Sequence, residues 1–392
     1  MAKLYTLLAL CAVGAEKTVS NEIKKLDLTV LESSYGRVSF RAELKGIYSA
    51  LIGLRAADRV LLEAGSFEAE DFDALFDGVR GIPWEDYIPP NTGIKVDKVR
   101  TNRSLLKAET SIQGVVHKAA AERLCKKRGV KRLSESSDDA EIRVYIEKNA
   151  VSVLLDLAGD PLFKRGYRIR GGAAPIRETT AAALILHSMW KRKFPFFDPF
   201  CGTGTFLIEA AMYAWDMAPG LSRRFAIEKL LIQDRKIEDE ARNSFLQKID
   251  FSRRIRIGGS DSDENAVLSA RANLEKAIAI NKRKNKQDMD NIDIPINIAP
   301  MEKTKAFAGK DTEDNTGYII TNPPYGRRMG DREEAEKIYK NMSKLAHNFD
   351  GWKLGVITEN PGFESFFGRK ADSCREISNG AIPAYFFQYE NI

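Results

Sequence analysis

From Pro175 onward, short apolar segments of strand length alternate with longer segments whose apolar residues recur at helical spacing. This alternation predicts an α/β sheet whose crossover helices cover both faces. The last two apolar segments have no helix between them, which predicts an antiparallel pair at the end of the chain. The predicted strands are Phe194–Asp198, Ile255–Ile257, Ile292–Ile298, Tyr318–Thr321, Leu354–Thr358, Ala371–Ile377 and Ala384–Tyr389.

One connection in this region is longer than a crossover requires. The stretch near residues 219–251 combines charge with helical spacing and is predicted to be a helical insertion. The Lys- and Asn-rich stretch Asn281–Asn291 predicts a loop. The remaining predicted helices are Glu178–Trp190, Thr205–Trp215, Glu264–Ile280 and Arg332–His347.

Two smaller α+β units are predicted before this sheet. Residues 1–65 alternate strand and helix in a way typical of a ferredoxin-like unit. Residues 66–160 contain two alternating apolar strands around Lys148-Asn149, which is a hairpin signal. The third predicted domain, residues 161–392, carries the larger sheet.

The composition limits the class of protein. The chain has 392 residues, a formal net charge of +6 and a pI near 8.9, which weakly favours a polyanionic partner. Its cysteines and histidines are scattered, so we expect no metal site and a reducing, cytoplasmic location. The apolar stretch Met1–Val13 soon turns polar and predicts a strand rather than a signal sequence. No apolar run approaches the ~18 residues of a membrane span.

Basic residues are concentrated in three runs within and just after the second unit. Each run alone is typical of a solvated face, but affinity for a polyanion grows with the number of phosphates neutralised. Three runs together therefore favour a phosphate-binding surface. The selected contacts are Arg103, Lys126, Lys127, Arg128 and Arg168, and the third run also contains Arg170.

A glycine turn connects the first strand of the larger sheet to its helix, with the sequence Phe197-Asp198-Pro199-Phe200-Cys201-Gly202-Thr203-Gly204-Thr205. Gly202 and Gly204 permit close approach of a ligand, and the helix that begins at Thr205 offers free N–H groups. Leu207 replaces the third glycine of a dinucleotide fingerprint, and Asp198 would repel a pyrophosphate. These features favour a nucleoside ligand with an ammonium group, such as S-adenosylmethionine, over a plain glycine turn.

Acids follow the next strand, in Gly258-Gly259-Ser260-Asp261-Ser262-Asp263. A carboxylate at this position can accept hydrogen bonds from both ribose hydroxyls. Asp261 is our first candidate and Asp263 the second, although capping the following helix is an alternative role for Asp263.

The strand that ends at Thr321 runs directly into Asn322-Pro323-Pro324-Tyr325-Gly326. The prolines keep the preceding residues extended and supply no N–H. The turn therefore presents an amide side chain, a carbonyl oxygen and an aromatic ring. This set suits holding a flat ring while accepting hydrogen bonds from its exocyclic amino group. The alternative is a proline-rich turn that merely closes a strand.

Taken in this order, the three motifs give the chain from about Asp160 a resemblance to class I S-adenosylmethionine-dependent methyltransferases that modify amino groups. More narrowly, Gly166-Tyr167-Arg168 and Gly171–Glu178 resemble segments of the THUMP-containing RNA guanine-N2 methyltransferases, of the bacterial large-subunit ribosomal RNA (RlmL) type. Those proteins carry a ferredoxin-like piece, a THUMP RNA-binding domain and a Rossmann-like methyltransferase domain. The two N-terminal units match this layout.

The resemblance implies a role for each candidate residue. Asn322 and the Pro323 carbonyl would grip the amino group of a base, and the Tyr325 ring would stack on that base. Cys201 lies in the cofactor turn, so we discount it as a nucleophile. Residues that would hold the cofactor are Asp198, Pro199, Gly202, Gly204, Thr205, Asp261, Asp263, Met301 beside the adenine, and Thr179 in the turn Ala174–Thr179 under the methionine end.

The implied partner is structured RNA, with ribosomal RNA ahead of transfer RNA and with guanine N2 as the target. The Asn-Pro-Pro-Tyr motif by itself is equally compatible with methylation of adenine N6 in DNA and of the glutamine side-chain amide in protein. DNA adenine methylation is therefore the alternative activity, and an RNA-binding assembly factor with an inactive methyltransferase half is the alternative class. The target nucleotide and the oligomeric state stay open.

Overall fold

A computed structural model describes residues 3–133, 139–169, 175–282, 293–305, 316–325, 329–380 and 382–392. Within these ranges the chain forms two seven-stranded sheets. Several predicted features lie outside the described residues: Arg170 to Ala174, Gly326, and residues 283–291 of the predicted loop.

The first sheet has the spatial order β2-β3-β1-β4-β7-β6-β5, and all neighbours are antiparallel except β5 and β6. Its strands are β1 (Tyr5–Cys11), β2 (Thr29–Ser34), β3 (Arg37–Ala42), β4 (Ala57–Glu68), β5 (Ile94–Asn102), β6 (Ala140–Glu147) and β7 (Ala150–Asp156). Its helices are α1 (Glu16–Lys25), α2 (Leu44–Gly53), α3 (Phe72–Gly81) and α4 (Glu109–Arg128).

The strand β4 joins the two N-terminal units into one sheet. It is 12 residues long. Ala57 to Leu62 pair with β1, and Leu61 to Glu68 pair with β7. The two units that the sequence predicts as separate therefore share a continuous hydrogen-bonded ladder. The edge strand β2 was not predicted because none of its residues is buried, so it lacks the apolar alternation that marks a strand.

The hairpin between β6 and β7 is confirmed. Lys148 and Asn149 both have positive φ, 50° and 67°. A two-residue turn of this kind matches the twist of the paired strands. The register pairs Glu147 with Ala150 directly across the turn.

The second sheet has the order β10-β9-β8-β11-β12-β14-β13. Its strands are β8 (Phe196–Asp198), β9 (Ile257–Asp261), β10 (Ile296–Ile298), β11 (Tyr318–Thr321), β12 (Lys353–Thr358), β13 (Ser373–Asn379) and β14 (Ile382–Tyr389). Its helices are α5 (Glu178–His187), α6 (Thr205–Ala214), α7 (Arg235–Leu246), α8 (Glu264–Lys282), α9 (Met329–Met342), α10 (Leu345–Asn348) and α11 (Phe363–Phe367).

The first five strands of this sheet are parallel, whereas β14 runs antiparallel to both β12 and β13. The predicted α/β sheet with a terminal antiparallel pair is thus confirmed. The chain leaves β8 toward β9 on one side and later returns to β11 on the other. The carboxyl end of β8 is therefore a topological switch point, where α/β sheets bind ligands.

The helical insertion packs on the N-terminal half of the molecule. The Asp234 N–H donates to the Tyr48 hydroxyl oxygen at 3.1 Å, and the Gly220 N–H donates to the Ile52 carbonyl at 2.9 Å. Both acceptors lie on α2, so this insertion is one of the contacts between the two sheets. Among the helices of the described ranges, none has the length and apolar character needed to span a bilayer.

Candidate functional site

Asp198 and Thr321 bring two of the predicted motifs together at the switch point. Asp198 ends β8 and is only 1% exposed. Its Oδ1 accepts hydrogen bonds from the Thr321 hydroxyl at 2.6 Å and from the Phe200 N–H at 3.0 Å. Thr321 ends β11 and immediately precedes Asn322. The glycine turn and the Asn-Pro-Pro-Tyr turn therefore adjoin each other.

The charge state of Asp198 follows from this environment. Burial raises the pKa of its carboxyl to about 7, and the nearby Asp261 adds to the increase, while the hydrogen bonds from Thr321 and Phe200 oppose it. A cationic ligand beside this carboxylate would stabilise its ionised form. The position is thus suited to the ammonium or sulfonium group of a ligand.

The two glycines of the turn serve different purposes. Gly202 has φ +51°, and a Cβ there would meet no atom of the described residues within 4 Å. Gly204 has φ +81°, but a Cβ there would lie 3.1 Å from the Cβ and 3.3 Å from the Cα of Ala270 in α8. Gly202 therefore leaves room for a ligand, whereas Gly204 is needed mainly for close packing on a helix.

Asp261 ties β9 to the glycine turn. Its carboxylate accepts the Gly202 N–H at 2.9 Å and the Asp263 N–H at 3.0 Å. Each oxygen can accept a further hydrogen bond, so ribose hydroxyls remain possible donors. Asp263 is exposed, and its Oδ1 accepts the Asn265 N–H at 2.9 Å in the first turn of α8. This is a capping contact, which favours Asp261 as the ribose acid.

Arg168, predicted as a phosphate contact, lies instead behind the glycine turn. Its guanidinium donates to the hydroxyls of Thr203 at 3.0 Å and Thr205 at 3.1 Å. It also pairs with the buried Glu178 at 2.9 Å. These contacts use its donors within the protein, so Arg168 supports the turn rather than a surface. Charge clustering in the sequence could not reveal this, because the partners are distant in the chain.

Sequence reasoning missed Asn273 altogether. It is fully buried on α8, where its Oδ1 accepts the Ile169 N–H at 2.8 Å and its amide donates to the Thr203 carbonyl at 3.0 Å. It thereby joins the turn to the segment that carries Arg168. The sequence does indicate this residue in one way. Asn273 is a polar side chain on the same helix as the buried residues Ala270, Leu274 and Ala277.

The Asn-Pro-Pro-Tyr turn is stabilised by one hydrogen bond within the turn and by another from a residue of α9. The Tyr325 hydroxyl donates to Asn322 Oδ1, the predicted acceptor for an amino group. The Tyr339 hydroxyl donates to the Pro324 carbonyl at 3.0 Å and lies 2.9 Å from the Thr358 hydroxyl. Tyr339 is fully buried and was not predicted, because nothing in its local sequence distinguishes it from a core aromatic residue.

Two predicted cofactor residues make their described contacts outside the glycine turn. Thr179 is buried in the first turn of α5, and its hydroxyl donates to Asp58 Oδ1 of β4. The described contact of Thr179 is thus with the first sheet rather than with the glycine turn. Met301 is 4% exposed and packs in a core cluster with Phe197 and Ile319. Its side chain therefore shares a core with the central strands β8 and β11.

The predicted phosphate contacts in the second unit divide into two groups. Arg103 and Lys126 are exposed, and Lys127 is exposed while paired with Glu85 at 3.3 Å. Arg128 instead donates to the carbonyl oxygens of Ile88, Pro89 and Thr92. Arg128, at the end of α4, therefore holds the segment Ile88–Thr92 against that helix.

Cys201 does not provide a nucleophile. Burial raises the pKa of its thiol well above the usual value, and the carboxylates of Asp198 and Asp261 contribute further. The thiolate is the reactive form of cysteine, so this side chain is inert. Among the described residues, no group of three or more His, Cys, Asp or Glu side chains is placed to hold a metal ion.

Together, the sheet order, the glycine turn, the acid after the second strand and the Asn-Pro-Pro-Tyr turn define a class I methyltransferase. Comparison with known families agrees. Residues 165–386 match the family described as RMKL-like, methyltransferase domain. Residues 6–61 match the RlmL ferredoxin-like domain, and residues 69–156 match the THUMP domain. Because the first match covers more than half of the chain, this protein belongs to the RMKL-like methyltransferase family, as the sequence motifs predicted.

Relatives extend over the whole chain. It is 33% identical to YpsC of Bacillus subtilis, named as an RNA methyltransferase, over 99% of this chain and 96% of that protein. It is 30% identical to the ribosomal RNA large subunit methyltransferase K/L of Marinomonas sp., over 99% of this chain but 53% of that protein. The chain thus spans about half the length of the K/L relative.

Two solved structures share the complete fold. SMU.472, described as a methyltransferase complexed with SAH, superposes with a TM-score of 0.88 at 33% identity, over 100% of this chain and 99% of that chain. A protein of Listeria monocytogenes, described as an N6-adenine-specific DNA methylase, superposes with a TM-score of 0.88 at 32% identity, over 100% and 97% of the two chains.

Proposed function

We propose that this protein is an S-adenosylmethionine-dependent methyltransferase that modifies the exocyclic N2 amino group of a guanine in structured RNA, with ribosomal RNA as the substrate class. The names of the YpsC and K/L relatives support an RNA substrate, and the THUMP match supports it independently. Both N-terminal units continue through β4 as one sheet beside the methyltransferase half.

The observation that carries this proposal is the 2.6 Å hydrogen bond from Thr321 to Asp198. It joins the end of the strand that leads to Asn322 to the acid that opens the glycine turn. A cofactor held by the turn and an amino group held by Asn322 would therefore be neighbours. Holding two reactants side by side is the main contribution that such a site makes to catalysis.

The described residues fit S-adenosylmethionine. Asp198 offers a buried carboxylate for a cationic group, Gly202 leaves space beside the turn, and Asp261 has acceptor capacity for ribose hydroxyls. The cofactor supplies an activated methyl group when bound. Pro199, Gly204 and Thr205 would form the wall of its site, whereas Asp263, Met301 and Thr179 stay predictions as cofactor contacts.

The substrate half acts through hydrogen-bond acceptors. We expect Asn322 Oδ1 and the Pro323 carbonyl to accept the two N–H groups of the base, which orients the nitrogen lone pair and draws it out of conjugation with the ring. Asn322 Oδ1 also accepts the Tyr325 hydroxyl, and its second lone pair can accept an N–H of the base. We expect the Tyr325 ring to stack on the base, a contact worth ~1–3 kcal/mol. A base inside a duplex must be flipped out to reach this turn.

Adenine N6 in DNA is the second candidate substrate. The name of the Listeria structure favours it, and the grip of Asn322 on an amino group does not distinguish guanine N2 from adenine N6. The discriminating experiment incubates the protein with labelled S-adenosylmethionine and, in parallel, undermodified total RNA, genomic DNA and protein extract. We expect N2-methylguanosine in the RNA. Label confined to DNA as N6-methyladenine would contradict the proposal.

The role of Asn322 has its own test. Asn322→Ala removes the side-chain acceptor and should lower methyl transfer by a factor of at least ~100, while the Kd for S-adenosylhomocysteine changes less than about threefold. Isothermal titration calorimetry measures the second quantity. A collapse of cofactor affinity would show that the substrate turn has been assigned to the wrong half of the site.

A further inference from the structure

A basic groove lies between the N-terminal half and the methyltransferase half, away from the glycine turn. Its volume is about 820 Å³. One wall is α1, which contributes the exposed side chains of Lys17, Asn21, Lys24 and Lys25. The other wall is the segment between α5 and β8. We call this feature the α1 groove; its second wall contributes His187, Met189, Trp190, Lys191 and Arg192.

The positive charge of the α1 groove is largely uncompensated. Within the described part of the chain, Lys24, Lys25 and Lys191 form no salt bridge. Glu22 is the acid among the described lining residues, and its carboxylate accepts the N–H groups of Arg55 at 2.8 Å and Ala56 at 3.0 Å. That carboxylate is therefore directed into the protein rather than toward the groove.

The arginine of the groove is held in a fixed orientation by a carboxylate and an aromatic ring. Arg192 pairs with Asp216 at 2.6 Å and lies over the Tyr213 ring at 4.2 Å from its centroid. Asp216 also pairs with Arg253 at 3.1 Å, and Arg253 pairs in turn with Asp250 at 3.5 Å. A planar guanidinium held in this way is preorganised to bind a phosphate through its remaining donors.

His187 reports the same positive field. Burial lowers the pKa of its imidazole, and the charges of Arg375 and Lys17 lower it further. The charge of Lys17 on one wall of the groove therefore acts on His187 on the other wall. Concentrated charge of one sign in a concave surface attracts polyanions more strongly than the same charges dispersed.

The α1 groove lies at the opposite end of the sheet from the methyl-transfer site. Lys191 and Arg192 precede β8, whereas Asp198 ends it. The helix α5 runs from Glu178, beside the glycine turn, to His187, in the groove. A helix of 10 residues is roughly 15 Å long, which sets the scale of the separation. A ligand in the groove therefore cannot be the base that is methylated.

We propose that the α1 groove is a second RNA-binding site, which holds the phosphate backbone of the substrate at a distance from the modified base. This inference rests on the proposed function, because it takes RNA as the substrate. Backbone contacts position a nucleic acid without reading its sequence, and each contact releases counterions. A large folded RNA can reach the groove and the Asn-Pro-Pro-Tyr turn together, whereas a single nucleoside cannot.

The test compares two triple variants of equal charge change in the full-length protein. Lys24→Ala, Lys25→Ala and Lys191→Ala remove three cations of the groove. Arg235→Ala, Lys236→Ala and Lys248→Ala remove three exposed cations on and after α7, as a matched control. Filter binding measures the Kd for in-vitro-transcribed large-subunit ribosomal RNA over a salt series, and thermal unfolding confirms that each variant is folded.

We expect the groove variant to bind RNA at least tenfold more weakly than the wild type near 0.1 M salt, with a slope of log Kd against log salt reduced by about 2, since each phosphate contact contributes roughly 0.7–0.9 to that slope. The control variant should keep most of the wild-type slope. Binding of S-adenosylhomocysteine should be equal in all three proteins.

Two outcomes would overturn this inference, and they are distinguishable. If the wild type methylates and binds RNA while both variants have its salt slope, the groove is an ordinary basic surface and the proposed function stands. If the wild type neither binds nor methylates RNA, the proposed function fails and the RNA-binding role of the groove fails with it.

Discussion

At the scale of single residues, Asp198 connects the glycine turn with the strand that leads to Asn322. It opens the glycine turn, accepts the Thr321 hydroxyl and lies near Asp261. Its carboxyl is costly to ionise when no cation is present, because burial removes its hydration. In the proposed site, a positive ligand would stabilise the ionised carboxylate, so this acid would favour a cationic ligand.

The pH dependence of stability follows from this residue. Its pKa is raised to about 7 in the folded protein, so its contribution to the free energy of unfolding is complete below pH 4 and is lost as the pH rises through 7. Asp198→Asn keeps an acceptor but carries no charge. We expect this variant to exceed the wild type in stability by a few kcal/mol at pH 8 and to match it near pH 4, because one pKa unit corresponds to about 1.4 kcal/mol. Thermal unfolding without cofactor measures this.

The exposed Asp263→Asn is the control, since asparagine caps a helix as well as aspartate does. It should unfold like the wild type at every pH. Asp198→Asn should also bind S-adenosylmethionine at least tenfold more weakly, because a charged hydrogen-bonding partner is worth about 1.5–3 kcal/mol. A variant of Asp198 that bound the cofactor normally would show that the ligand's positive group lies elsewhere.

The two glycines allow a paired prediction. Gly204→Ala combines positive φ with a Cβ at 3.1–3.3 Å from Ala270, so it should lower stability by more than the ~1–2 kcal/mol expected for backbone strain alone. Gly202→Ala should cost only that strain, because no described atom opposes its Cβ. Its methyl group would instead enter the proposed ligand space and weaken cofactor binding. Denaturant unfolding measures the loss of stability, and calorimetry measures cofactor binding. Equal losses of stability in the two variants would contradict this prediction.

At the scale of elements, the Asn-Pro-Pro-Tyr turn depends on α9. Tyr339 reaches from that helix to the Pro324 carbonyl and to Thr358 at the end of β12. Two parallel strands and one helix thus meet at a single hydroxyl. The turn itself has no proline N–H to anchor it, so this long-range contact supplies what the local backbone lacks.

Tyr339→Phe tests this support. Removal of the hydroxyl leaves the Pro324 carbonyl without its donor and the buried Thr358 hydroxyl without its acceptor, which should lower the free energy of unfolding by about 1–3 kcal/mol. Turnover should also fall, by roughly tenfold, while cofactor affinity is retained. Tyr389→Phe is a matched control, because Tyr389 is buried in the same core cluster but donates to the Arg369 carbonyl outside the site. If both variants lost turnover equally, the effect would be one of stability alone.

At the scale of the whole molecule, a buried network of charges joins the two sheets. Arg55, which precedes β4, donates to the carbonyl oxygen of Met217 at 2.7 Å. Arg165 donates to the Arg55 carbonyl and lies 3.5 Å from Glu209 on α6. Burial raises the pKa of Glu209, and the Tyr167 hydroxyl donates to it at 3.1 Å. This network holds the N-terminal half and the methyltransferase half in one arrangement. A fixed arrangement is required if one RNA contacts both halves.

Glu209→Ala should be strongly destabilising. It leaves the Arg165 guanidinium buried without its carboxylate, a change that typically costs 3–5 kcal/mol. Asp77→Ala removes the partner of Arg80 in a pair whose side chains are 50% and 68% exposed, and it should cost less than about 1 kcal/mol. Chemical denaturation of both variants gives the comparison. A loss below 1 kcal/mol for Glu209→Ala would mean that the network does not hold the halves together.

Much of the architecture was readable from the sequence, because it depends on neighbours in the chain. The strand Tyr318–Thr321 has the predicted bounds, and the hairpin turn lies at Lys148 and Asn149 as predicted. The glycine turn and the Asn-Pro-Pro-Tyr motif likewise identified the family. The helix predicted at Arg332–His347 is broken into α9 and α10, since a continuous apolar stripe does not reveal a local interruption.

The sequence by itself therefore determined the order of most elements, the position of the turns and the class of reaction. Only the tertiary structure decided which side chains meet: Arg168 behind the glycine turn, Tyr339 under the Asn-Pro-Pro-Tyr turn, and the cations of the α1 groove facing each other across two domains. The physical reason is that periodicity and backbone dihedrals are local properties. Hydrogen-bond partners and electric fields are set by packing between segments that lie far apart in the chain.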